Sequence, residues 1–176
     1  MTTIQNGPAV RQPHHPPRAR PAGGPSRPRA TDLEGDTEPI RDHPDSSGFI
    51  ALLSANRASG GTARADDLVT MLADLHEGDQ VCLARLLASG TIFGFEWRHA
   101  FWVPMFQFNL DDLSVRPGPQ QVRGELLGQT TDGWHLAAWF ARPNPWLAGQ
   151  RPADRVGSDL PAVLAAARAD HFVATL

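Results

Sequence analysis

Large apolar side chains are almost absent from Met1 to Asp45 and dense from Phe49 onward. A core can therefore form only beyond the first 45 residues. Phe49–Ala55 predicts a helical turn or two, ended by Ser59-Gly60-Gly61. Leu68, Leu72 and Leu75 recur at i, i+4 and i+7 with Met71 beside them. That spacing predicts an amphipathic helix over 63–76, with Thr62 as its N-cap. Gly78 breaks it. Asp79 is placed to cap a second helix over 80–89, and Gly90 suits the left-handed position that closes it.

The period then changes. Thr91–Trp97 and Phe101–Phe108 are rich in aromatic and β-branched residues and flank Arg98-His99-Ala100. This pattern predicts a β-hairpin that packs on helices. Pro104 cannot donate to a ladder, so its strand is expected at an edge or bulge. The helical signal returns over Gln120–Leu127 and again over 132–141, capped by Thr131 or Asp132 and stopped by Pro143-Asn144-Pro145. A short helix is expected from Pro152. A last one, capped by Ser158, is expected over 159–169, followed by an apolar tail from His171 to Leu176.

The fold class expected is α+β and mostly α-helical: a small helical domain with one β-hairpin, preceded by a disordered N-terminal arm. Residues 1–45 form that arm, 46–101 a helical hairpin and first strand, and 102–176 the remaining domain. The arm holds nine of the sixteen prolines and segregates its charge. Five Arg fall between Arg11 and Arg29, and six acids between Asp32 and Asp45. This reads either as a solvated linker or as a basic arm for nucleic acid or an acidic partner.

All sixteen basic residues are Arg, and the net charge of −3 gives no global drive toward nucleic acid or anionic membrane. Cys82 is the lone cysteine, which fits a reducing cytosol and a buried apolar role. No stretch resembles a signal peptide or a bilayer span. A cytoplasmic protein is expected.

Chemistry is sparse. There is no phosphate-binding Gly loop, no nucleophile elbow, no zinc-protease helix and no Cys cluster. His14 and His15 are adjacent in the arm. His76, His99, His135 and His171 share no recurrent spacing. Asp111-Asp112 has the composition of a turn. No catalytic residue, no metal ligand and no cofactor is assigned, and the chain does not read as an enzyme. Helices 63–76 and 80–89 read as a helical hairpin or as a helix-turn-helix remnant. The second would meet DNA with Gln80, Cys82, Arg85 and Ser89, a single cation.

Aromatic residues are the stronger signal. Trp134, Trp139 and Trp146 fall within thirteen residues beside Pro-rich turns. Trp139 reads as core. Trp146, after Pro145, reads either as core or as a protein-binding anchor.

The run from Trp134 to Asp154, followed by Asp159–Ala167, resembles the Xre/MbcA/ParS-like toxin-binding domain of antitoxins. Its marks are Trp134, Trp139, Pro143, Asn144, Leu147, Gly149, Pro152 and Asp154, then Val163, Leu164 and Ala166. Upstream, Val103–Phe108 is similar to the Pro-x-Phe-Gln-Phe strand that precedes this domain. The likeness covers about 102–172. It implies an antitoxin of a type II toxin–antitoxin system whose partner is a RES-domain toxin that degrades NAD. It implies inhibition by occluding the toxin's active site, with a homodimer inside a hetero-oligomeric complex among the assemblies. The contacts expected are Trp146, Leu147, Arg151, His171, Phe172 and Leu176. Trp134, Trp139 and Asp154 are expected as structural residues of the motif, and Pro143, Asn144, Gly149 and Pro152 are expected to set the turn that presents the contacts. Many relatives also repress their own operon through an N-terminal helix-turn-helix. Region 49–90 departs from that pattern, which counts against autoregulation; a DNA-binding regulator of its own operon is the alternative reading.

Overall fold

The computed structural model describes Ile40 and residues 44–75, 83–127 and 132–174. The rest of the N-terminal arm, His76–Cys82, residues 128–131 and the terminal Thr175-Leu176 lie outside the described residues. The expectations placed on His14, His15, His76, Gly78, Asp79, Gln80, Cys82, Thr131 and Leu176 lie there too.

The fold is α+β and mostly helical, with seven α-helices and three strands among the described residues. Helix α1 (Ser46–Asn56) is longer than the expected turn or two, because Asp45 caps it. The Asp45 carboxylate accepts from the Gly48 amide at 2.6 Å. Thr62 is not a helix cap. It opens a short strand, β1 (Thr62–Arg64), and α2 follows over Ala65–Leu75. Helix α3 is described over Leu83–Ala88, and Gly90 is left-handed behind it (φ 68°).

The hairpin forms from β2 (Phe95–Trp97) and β3 (Ala100–Pro104), with Arg98 and His99 at positive φ in its turn. β1 adds to the far side of β3, so the antiparallel sheet runs β1-β3-β2. Pro104 therefore lies on the central strand, not on an edge. It is tolerated because it is the last residue there, opposite Thr62, and the Met105 amide takes over by donating to the Gly61 carbonyl at 3.0 Å. The strand expected through Phe108 instead turns into a 3-10 helix, Met105–Gln107.

That turn places Gln107 in the interior. Its carboxamide accepts from the Phe93 amide and donates to the Phe93 carbonyl, both at 2.8 Å, and donates to the Pro104 carbonyl at 3.0 Å. The side chain thus replaces a missing strand partner, and its burial costs little.

Helix α4 spans Pro117–Leu126, α5 Gly133–Ala141, α6 Pro152–Arg155 and α7 Leu160–Ala174. Asp132 caps α5 through the Trp134 amide. Asp159, not Ser158, caps α7, accepting from the Ala162 amide at 3.2 Å. The Ser158 hydroxyl is turned back onto the Arg155 carbonyl. α7 also runs on to Ala174, so His171, Phe172 and Val173 belong to a helix and not to a tail.

One core joins Leu52 of α1, Phe93, Phe95 and Phe106 of the sheet region, and Trp134, Phe140 and Val163 of the later helices. The Phe106 and Phe140 rings stand 4.8 Å apart and Phe93 stacks on Phe140 at 5.6 Å. A second cluster under α2 joins Leu68, Leu72, Leu83, Ile92, Val103 and Phe108. The boundary expected between residues 101 and 102 falls inside β3, and the segments on its two sides share the first core. The boundary at 45 shifts as well: Asp45 caps α1 and Ile40 packs against the core, so the end of the presumed arm is part of the fold.

Candidate functional site

Helix α5 must stop at Ala141, because Pro143 and Pro145 hold the residues before them extended. Arg142 is extended (ψ 145°) and the chain enters a tight turn organised by Asn144. The Asn144 side-chain oxygen accepts from the Trp146 amide at 2.9 Å. Its backbone carbonyl accepts from the Leu147 and Gly149 amides, each at 3.0 Å, and its own amide donates to Gln150. Ala148 (φ 54°) and Gly149 (φ 77°) supply the two left-handed positions that close the loop. Pro152 then opens α6, where a missing N–H is no loss.

Asp170 holds this turn in place. Its Oδ2 accepts from the Trp139 indole N–H at 2.9 Å and from the Asn144 side-chain N–H at 2.8 Å. Its Oδ1 accepts from the Trp146 indole N–H at 2.9 Å. One carboxylate on α7 therefore gathers the second Trp of α5, the turn's organiser and the turn's exposed Trp. Bonds to a charged acceptor are the stronger kind. Trp146 is 58% exposed, so its ring stays open to solvent while its N–H is already bonded.

The other expected residues divide. Trp134 is buried (2% exposed), stacking against Trp97 and meeting Phe95 edge-on at 5.4 Å. Trp139 is only partly buried, at the core's margin. Leu147, expected as a contact, is 8% exposed and packs into the core. It anchors the turn from beneath and offers no surface. Arg151, also expected as a contact, is engaged within the fold. Its Nε donates to Asp154 at 2.7 Å and its Nη1 to the Ala55 carbonyl at 2.8 Å. The second bond reaches a carbonyl in the last turn of α1 and ties the turn after α5 to that helix. His171 is half-buried, while Phe172 and Val173 are exposed on the last turn of α7.

Asp170 is absent from the sequence expectations. A signal for it existed. An acid near a helix C-terminus opposes the macrodipole, so its presence in the last turns of an Ala-rich helix asks for a partner. Below it on α7, Arg168 donates to Glu125 of α4 at 2.7 Å. That hydrogen bond holds the Glu125 carboxyl below its ordinary value of 4.5.

Beside the turn lies a groove of about 1110 Å³, with Ala51, Ala55, Ala141 and Pro143 among its walls and Arg142 and Arg151 at its sides. Among the described residues no group of three or more His, Cys, Asp or Glu could hold a metal ion. Asp112 of the Asp111-Asp112 pair accepts from the Ser114 amide, the bond of an ordinary turn. No helix among the described residues is long and apolar enough to cross a membrane.

Comparison of the chain with protein-family models, with curated proteins and with solved structures gives no match.

Proposed function

We propose that this chain acts by binding a partner protein: as the antitoxin of a type II toxin–antitoxin pair, it occludes the active site of a RES-domain toxin that degrades NAD. The observation that carries the reading is Trp146, exposed yet held by Asp170. An aromatic side chain fixed before binding loses little rotamer freedom on complex formation, and Trp is enriched among binding hot spots. Phe172 and Val173 on α7 add exposed apolar surface in the region for which the likeness implies toxin contact. Inhibition of this kind needs shape and a few anchors, and no catalytic group of its own.

The choice of toxin rests on the resemblance of residues 102–172, and the general reading as a binding protein rests on the Trp146 surface. The DNA-binding alternative has less behind it, since α3 carries the single cation Arg85. The test is enzymatic. The purified chain is titrated into its proposed partner, a RES-domain toxin, and NAD loss is followed. Breakdown should fall to background near equimolar ratio. Undiminished NAD loss at a large excess of this chain rejects the toxin reading.

A further inference from the structure

We propose that a second cleft, between the α1–β1 connection and the α6–α7 connection, binds a small zwitterion, an amino acid or a short peptide, with its carboxylate on Arg116 and its ammonium on Asp111. The cleft measures about 630 Å³. Buried Phe108 and Ala153 form its apolar lining together with exposed Leu110. Leu110 leans over Gly60, where a Cβ would stand 3.1 Å from both of its δ-carbons. An exposed leucine beside a buried ring is a surface for an aliphatic or aromatic ligand side chain.

Charge gives the cleft its selectivity. Arg116 and Asp111 both line it, and among the described residues neither side chain has a hydrogen bond or an ion pair. The third charged residue of the lining, Asp154, is taken by Arg151 at 2.7 Å. Opposite charges that share a cleft without pairing are held apart by the chain that carries them. The Arg116 amide donates to the Gln107 carbonyl at 2.8 Å, and its Nη2 rests against Gly157, where a Cβ would lie 2.4 Å away. Asp111 sits in a turn closed by the Asn109 amide on the Ser114 carbonyl and by the Leu113 amide on the Asn109 carbonyl, each at 2.8 Å. A lone anion would meet Asp111 and a lone cation Arg116, whereas a molecule with both charges satisfies the two together. Ser59 and Ser158 also line the cleft. Their hydroxyl protons are donated to the Asn56 and Arg155 carbonyls, so their oxygens remain as acceptors, which suit an ammonium. Trp146 is not part of this cleft, so the site stands whether or not the partner is a toxin.

Ligand-observed NMR titration of the full chain tests this. The probes are leucine, leucyl-leucine, N-acetyl-leucine, which keeps only the anion, and leucinamide, which keeps only the cation. At least one zwitterion should bind about tenfold tighter than either single-charge analogue, the size of one charge-assisted contact. Leucine tighter than leucyl-leucine assigns an amino acid, and the reverse assigns a short peptide. Arg116→Gln should weaken the tighter zwitterion about tenfold and leave leucinamide unchanged. Asp111→Asn should weaken it as much and leave N-acetyl-leucine unchanged. Neither side chain is bonded within the fold, so both variants should keep the melting temperature of the unsubstituted chain. No saturable binding of either zwitterion overturns the site, and so does a zwitterion affinity that is the same in both variants as in the unsubstituted chain. A single-charge analogue that binds as tightly as the zwitterions overturns the pairing of charges.

Discussion

The indole N–H of Trp146 donates to the Asp170 carboxylate at 2.9 Å, joining the turn after α5 to α7 across 24 positions of sequence. Trp139 and Asn144 bond to the other oxygen of the same carboxylate. An exposed ring, a structural turn and a helix are thereby tied to one group. Trp146 is consequently an open ring whose indole N–H is held in place.

Asp170→Ala should cost about 2 kcal/mol of stability, in the range for hydrogen bonds to a charged group. It should also free the Trp146 ring. A lowered melting temperature together with reduced Trp fluorescence anisotropy is expected. A melt indistinguishable from the unsubstituted protein means that the carboxylate does not hold the turn.

The Trp series should separate by burial. Trp134→Ala should cost roughly 3–5 kcal/mol, enough to unfold a small domain. Trp139→Ala should cost less, because Trp139 is only partly covered. Trp146→Ala should stay folded, because most of its ring is already in water. Thermal melts rank the three, and equal losses at Trp134 and Trp146 contradict the burial order. Leu147→Ala belongs with the first group at about 2–5 kcal/mol, since its side chain is core.

Gly133→Ala is expected to destabilise, although alanine is the better helix former. A Cβ at Gly133 would stand 1.8 Å from the Gly94 carbonyl oxygen and 2.8 Å from its carbon. Both are backbone atoms, so α5 would have to lift off the segment leading into β2. The expected loss is about 3 kcal/mol, at the upper end for overpacking. A rise in melting temperature refutes this close approach.

Much of the Trp134–Asp154 segment was legible in the sequence because its determinants are local. The cap at Asp132, the stop before Pro143 and the left-handed Gly149 act within a few residues of where they stand. The hairpin was legible for the same reason. What escaped is long-range. Asp170 meets partners 24, 26 and 31 positions away, and no periodicity marks it. β1 is three residues long and gains strand character only by pairing with β3. Ile40 is a single aliphatic residue among prolines and acids, and it reads as solvated chain until Arg142 binds it. Leu147 sits in a turn that looks exposed, and only the packing beneath it shows that it points inward.

The Glu125–Arg168 pair sets a weak acid dependence. Glu125 titrates lower in the folded chain than its ordinary 4.5, because Arg168 hydrogen-bonds its ionised form. The stabilisation is fully present above that ordinary value and fades as pH falls through the lowered one. The Arg168 pKa moves up, so its charge stays on throughout. Arg168 is exposed and Glu125 partly so, so the effect is small and screened by salt. Glu125→Gln should melt slightly below the unsubstituted protein at neutral pH, and the gap should close in acid. A gap that widens as pH falls has the wrong sign.

The central claim is that Trp146 is a binding anchor on an intact scaffold. Its most direct test is calorimetric titration of the proposed RES-domain toxin with the unsubstituted chain and with Trp146→Ala, each melted in parallel. The account predicts an affinity loss of about 2 kcal/mol or more, roughly thirtyfold in Kd, with a folded protein whose melting temperature falls less than that of Asp170→Ala, since one of the three bonds to the carboxylate is lost. An unchanged Kd for Trp146→Ala would contradict it.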